Sequence, residues 1–176
     1  MLKATEDLRR EHESVLHALT IYDQIMSSGP REDSVLLKYY KELIYFLKEF
    51  ADKCHHGKEE KYLFKELTAT GGARETGFIE RLLKEHKLAR EYVKEMEKAL
   101  ESKNIEAFND SALKYSDLLR IHIEEENNGI FLMADEILSE EEQNLLFEKF
   151  EEHEENVIGH GVHEELHSMI HRWEDL

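Results

Sequence analysis

The sequence predicts an all-α protein, an up-down four-helix bundle followed by two shorter C-terminal helices. Three observations carry that expectation. The 176 residues include a single proline and eight glycines, and 36% are charged. That balance suits long amphipathic helices better than sheets or disorder. Apolar residues recur at helical spacing in four long segments. The first two segments resemble the next two, so the chain reads as two helical hairpins, and two hairpins make a bundle.

The elements follow in order. A first helix is expected over about residues 4–26, with Leu8, His12, Val15, Leu16, Leu19 and Tyr22 on one face. Ser27-Ser28-Gly29-Pro30 ends it, since Gly and Pro together punctuate helices. The second helix runs over about residues 32–67 and Thr70-Gly71-Gly72 turns the chain. The third covers about residues 75–100, with Ile79, Leu82, Leu83, His86, Ala89, Val93 and Met96 expected to face in. Asn104 is an N-cap for the fourth, about residues 105–138. Ser139 with Glu142 reads as a capping box opening a fifth helix. Gly159-His160-Gly161 breaks that one before a last helix from Val162 to Trp173. The bundle is therefore assigned to residues 1–138, and residues 139–176 to a helical extension packed on it.

Charge and composition exclude several classes of function. A formal net charge of -17 argues against nucleic acid, whose phosphates call for clustered Lys and Arg. It equally disfavours an anionic membrane surface. No apolar run approaches the ~20 residues of a membrane helix, and the first seven residues are too acidic for a signal peptide. One cysteine forms no internal disulfide, which fits a reducing cytoplasm. Cys54 itself reads first as a small packed residue, and second as a group able to tune a neighbouring metal. No nucleophile–base set or cofactor-binding glycine loop is evident.

Chemistry concentrates in Cys54-His55-His56-Gly57-Lys58-Glu59-Glu60. Positions four apart on a helix nearly eclipse, so His55 and Glu59 can grip one object together. Both fall on the stripe marked by Leu43, Leu47, Phe50, Ala51, Tyr62 and Leu63. The device returns as His122 and Glu126, in line with Tyr115, Leu118, Leu119, Ile130 and Met133. A buried carboxylate is expensive unless it is paired or metal-bound. With His12 and His86, each hairpin offers two inward His and one inward Glu, half of a two-metal site for iron, zinc or manganese. A Glu between two metals can bridge them. His56 and Glu60 lie one residue off the stripe, which suggests outer or surface roles. The Glu and Lys runs read as a solvated face.

These blocks carry a resemblance. Arg10-Glu11-His12, Phe50 leading to His55-His56-x-x-Glu59-Glu60-x-x-Leu63-Phe64, Glu85-His86 followed by Arg90, and His122-Ile123-x-x-Glu126 resemble the hemerythrin-like, or HHE cation-binding, domain family. The resemblance implies two Fe ions in a non-haem di-iron centre with an oxo or hydroxo bridge. Its ligands would be His12, His55, Glu59, His86, His122 and Glu126, the two carboxylates bridging the irons. Oxygen-carrying hemerythrins resemble this scheme but have a further His where this chain has Arg90, and an Asp where it has Asn127. The set is thus one His short of five, and the C-terminal His163 or His167 is expected to supply it.

The function implied is binding or sensing of a small oxidant: dioxygen, peroxide or nitric oxide. A redox partner is left unnamed. The alternative is a di-iron enzyme of oxidative or nitrosative stress defence, peroxidase-like or repairing iron–sulfur centres. Iron storage fits less well, because ferritin-like sites use paired Glu-x-x-His segments and this chain has only Glu164 to His167.

Overall fold

The computed structural model describes residues 3–176, and among them there are six helices and no strands. Helix α1 is Ala4–Ser27. Helix α2 spans 33–70; it is α-helical over Asp33–Phe46 and Phe64–Thr70 and π-helical over Leu47–His56 and Glu59–Leu63. Helix α3 is Ala73–Glu101. Helix α4 spans 105–137, with a π-helical turn at Glu126–Ile130. Helix α5 spans 140–158, and α6 is Val162–Glu174.

Local chemistry sets the boundaries where the sequence places them. The Asn104 side chain accepts from the Ala107 amide, 3.0 Å away, and so caps α4. Ser139 and Glu142 exchange cap hydrogen bonds at the start of α5. Gly159 and Gly161 adopt φ of 112° and 77°, a region that side chains disfavour, and there the chain reverses into α6.

Two apolar cores lie at opposite ends of the bundle. The larger one gathers Val15, Leu19, Phe46, Phe50, Ala89, Tyr115 and Leu119. The smaller gathers Leu8, Leu63, Phe64, Leu82, Ile130 and Phe131. Moving along the chain, α1 and α3 pass from the smaller core to the larger, while α2 and α4 pass from the larger to the smaller. The four helices therefore alternate in direction. His12, His55, Glu59, His86, His122 and Glu126 all fall at the crossing between the cores, and all are buried.

The C-terminal helices cover both cores from the side of α1 and α2. Leu146 and Phe150 of α5 join the smaller core, and Leu166, Met169, Ile170 and Trp173 of α6 join the larger. The Trp173 ring sits edge-on to Tyr39 and Phe46, and its indole N–H donates to Glu42 at 2.7 Å. At mid-height, Lys58 contradicts the expectation of a solvated Lys/Glu face. It is fully buried and bonds Asp7, Glu11 and Glu154, tying α1, α2 and α5 together.

Gly57 is where α5 comes closest. A Cβ there would meet His153 Nε2 at 2.8 Å, while that imidazole donates to the Lys53 carbonyl at 2.7 Å. Ala at position 57 should gain about 1 kcal/mol of helix propensity. Overpacking a buried ring typically costs about 1–3 kcal/mol. Gly57→Ala is therefore expected to lower stability in the natural chain and to raise it in a His153→Ala background. Denaturant unfolding of the two pairs measures this sign reversal.

Candidate metal centre

Each inward histidine is held from behind. His12 Nδ1–H donates to Asn127 Oδ1 at 2.8 Å and His55 Nδ1–H to Glu11 at 2.8 Å. His86 Nδ1–H donates to Glu60 at 2.8 Å and His122 Nδ1–H to Glu85 at 2.6 Å. An ionised carboxylate can only accept, so the proton sits on Nδ1 and the neutral ring turns its Nε2 lone pair inward. This is the arrangement that orients histidine towards a metal.

The inward atoms lack partners of their own. Glu59 and Glu126 are fully buried, and none of their four oxygens has hydrogen-bond geometry to any group; His12 Nε2 and His55 Nε2 are equally unpaired. Yet the atoms crowd together. Glu59 reaches His55 Nε2 at 3.1 Å with one oxygen and His86 Nε2 at 3.4 Å with the other. Glu126 reaches His12 Nε2 at 3.1 Å and His122 Nε2 at 3.0 Å in the same manner. His86 and His122 point Nε2 at Nε2 across 3.1 Å. Two lone pairs at that range repel unless a cation lies between them.

Two groups emerge, each with ligand atoms within 4.8 Å of one another: His12, His55, Glu59 and Glu126, and His56, Glu59, His86 and His122. Glu59 belongs to both, and Glu126 contacts a histidine of each. Buried imidazoles and carboxylates without partners are the donor set a pair of cations fits.

His56 is the residue that periodicity missed. It is buried, stacked on His86 with ring centroids 3.8 Å apart, and its Nδ1 lies 3.4 Å from Asp52. An α-helix turns two adjacent residues about 100° apart. The π-helical winding through Leu47–His56 widens the turn and lets both His55 and His56 face the interior. The C-terminal histidines expected to complete the set lie apart from the Glu59–Glu126 groups. His163 falls in a separate group with Glu11, Cys54 and Glu154, and His167 packs against Phe50 and His163.

The two positions that depart from the oxygen carriers also have structural work. Asn127 holds His12. Arg90 donates to Glu60, which holds His86, and to Asp52 at 2.8 Å, which faces His56.

Fold and site together define a cation-binding helical bundle. The hemerythrin HHE cation binding domain family matches residues 3–134, and the chain belongs to it. No curated protein and no solved structure matches the chain.

Protons occupy the site when metal does not. Burial opposes charge on His55, but Glu59 and Glu11 outweigh it and lift its pKa to about 10. Burial likewise opposes charge on His122, yet Glu126 and Glu85 lift it to about 9. His86 is raised in the same way against burial, by Glu126, Glu59 and Glu60. Burial and the neighbouring His86 hold His56 down at about 3, so it is neutral at pH 7. Metal must therefore displace a proton from His55 and one shared by His86 and His122, whose facing Nε2 atoms leave room for a single proton between them. Uptake at pH 7 should release about two protons, and affinity should climb as pH rises towards 9–10 and fall on acidification. Calorimetric titrations in buffers of different ionisation enthalpy count those protons.

His56→Ala should lower metal content by about one equivalent per chain, and His167→Ala should leave it unchanged. Elemental analysis of both purified variants gives the answer.

Proposed function

We propose that this chain is a non-haem di-iron protein that binds or senses a small oxidant such as dioxygen, peroxide or nitric oxide. The observation that carries the reading is the pair of His/Glu groups sharing Glu59, with inward nitrogens and oxygens that have no partner in the protein. Two iron ions held there would supply reducing electrons to such a ligand. The protein's own residues do the rest. Outward hydrogen bonds to Asn127, Glu11, Glu60 and Glu85 fix the imidazoles, so that little reorganisation accompanies a change of charge. The apolar cores above and below restrict water.

A route for a small molecule supports the same reading. A cavity of about 190 Å³ lies between α2 and α3, lined by Asp52, His56, Ala89, Arg90, Val93 and Tyr115. Leu47, Ala89 and Val93 give it an apolar side, Lys48, Lys94 and Glu97 join the lining, and the His56 ring borders it, which suits a ligand of a few atoms. Among the described residues no helix is long and apolar enough to cross a membrane.

The test joins metal content to the optical spectrum, recorded anaerobically and after exposure to air. The expected result is about two irons per chain and a charge-transfer band that appears with the oxidant and bleaches when it is withdrawn. Irreversible oxidation without that band would point to an enzyme or a store. Absence of bound metal in protein purified from iron-replete cells would overturn the reading.

A further inference from the structure

Beside the central site, on the side of the C-terminal helices, a second cluster of donors is left unexplained by the function proposed above. Glu11 on α1, Cys54 on α2, Glu154 on α5 and His163 on α6 each present a ligand atom within 4.8 Å of the others. Glu11 and Cys54 are buried, and the Cys54 thiol points at Glu11 Oε1, 3.5 Å away. His163 Nε2 is shielded from solvent and has no hydrogen-bond partner. The four residues come from four different helices, and the left-handed glycines at 159 and 161 swing the chain round before His163.

Charge at this place is unbalanced. Asp7, Glu11 and Glu154 all converge on the single ammonium of Lys58. Even with a proton on His55, which faces Glu11, three carboxylates outnumber the positive groups beside them, and a divalent ion would offset that excess. A pocket of about 240 Å³ opens from this cluster to solvent, lined by Glu154, Glu155, His160, His163 and Glu164. Its acidic walls favour the approach of a cation.

We propose that Glu11, Cys54, Glu154 and His163 form a further site for a divalent transition-metal ion, distinct from the Glu59–Glu126 centre and reached through this acidic pocket. One sulfur, one imidazole and two carboxylates select a borderline ion such as Zn²⁺, Fe²⁺ or Co²⁺, whereas Mg²⁺ and Ca²⁺ prefer oxygen alone. On binding, the Cys54 thiol gives its proton to solvent and ligates as thiolate. Glu11 joins this site to the central one, because its other oxygen holds His55 Nδ1. The assignment stands whichever metal the central site takes.

The experiment titrates Co²⁺ into the full-length protein with its central metals in place. One additional equivalent should bind and give the near-ultraviolet charge-transfer band of a cobalt–thiolate bond. His and carboxylate ligands give no such band, so exchange of Co²⁺ into the central site is distinguished. Cys54→Ser should abolish the band, and Glu154→Gln, at a half-buried position, should weaken Co²⁺ binding at least ~10-fold while the helical circular dichroism is kept. Zn²⁺ should displace the signal and excess Mg²⁺ should not. The proposal is overturned if the folded, metal-loaded protein develops no thiolate band. It is equally overturned if the band survives in Cys54→Ser, or if His163→Ala binds Co²⁺ as tightly as the natural chain.

Discussion

Two fully buried carboxylates with no hydrogen-bond partner in the protein, Glu59 and Glu126, set the terms for the rest of this fold. Leaving water costs an ion several kcal/mol even after the protein relaxes. The chain surrounds the pair with five imidazoles, and cations between them would complete the neutralisation. In the metal-free state a proton on His55 and one shared by His86 and His122 take that part. Proton and metal therefore compete for the same nitrogens, and the affinity of the centre is tied to pH by construction.

The supports of those imidazoles close into a ring. Glu11 on α1 holds His55 on α2, and Glu60 on α2 holds His86 on α3. Glu85 on α3 holds His122 on α4, and Asn127 on α4 returns to hold His12 on α1. Every helix of the bundle thus aims the histidine of the next. Such a circuit couples the site to the packing of all four helices, because sliding any one of them would displace two links. The apolar cores on either side resist that sliding, since close-packed side chains leave few alternative arrangements. Precision at the centre is obtained from helices and their packing, with no loop involved.

Much of this was legible in the sequence, for physical reasons that can be named. Amphipathic stripes and cap residues gave the helices, because burial and orphan backbone groups both leave marks at fixed spacing. His12, His86 and the two His-x-x-x-Glu pairs stood out since ionisable groups on an apolar stripe are costly without a partner. The misses share one cause: they depend on geometry between helices or on departures from ideal winding. His56 faces in only because α2 is π-wound there. Lys58 is buried because carboxylates from α1 and α5 converge on it, which spacing within α2 does not disclose. The amphipathic pattern of α6 marks Leu166, Ile170 and Trp173 as a packing face, but the same pattern says nothing of how far His163 and His167 stand from Glu59.

Arg90 shows how one local departure can be absorbed. At the position where oxygen-carrying relatives have a ligating His, a permanently cationic side chain cannot bind a metal, and on a helix facing the centre it would repel one. The structure turns it aside. Its guanidinium reaches Asp52 and Glu60, two carboxylates of α2 that themselves face His56 and His86. A planar guanidinium can serve both acceptors at once, which a lysine ammonium on a flexible stem does less well. The charge that would have opposed a cation now fixes the groups that aim imidazoles at one. Meanwhile the wider winding of α2 brings His56 into the space beside His86, so five buried imidazoles gather there: His12, His55, His56, His86 and His122. Arg90 on α3 and the π-wound segment of α2 thus meet at one place, where Asp52 lies between the guanidinium and the His56 ring.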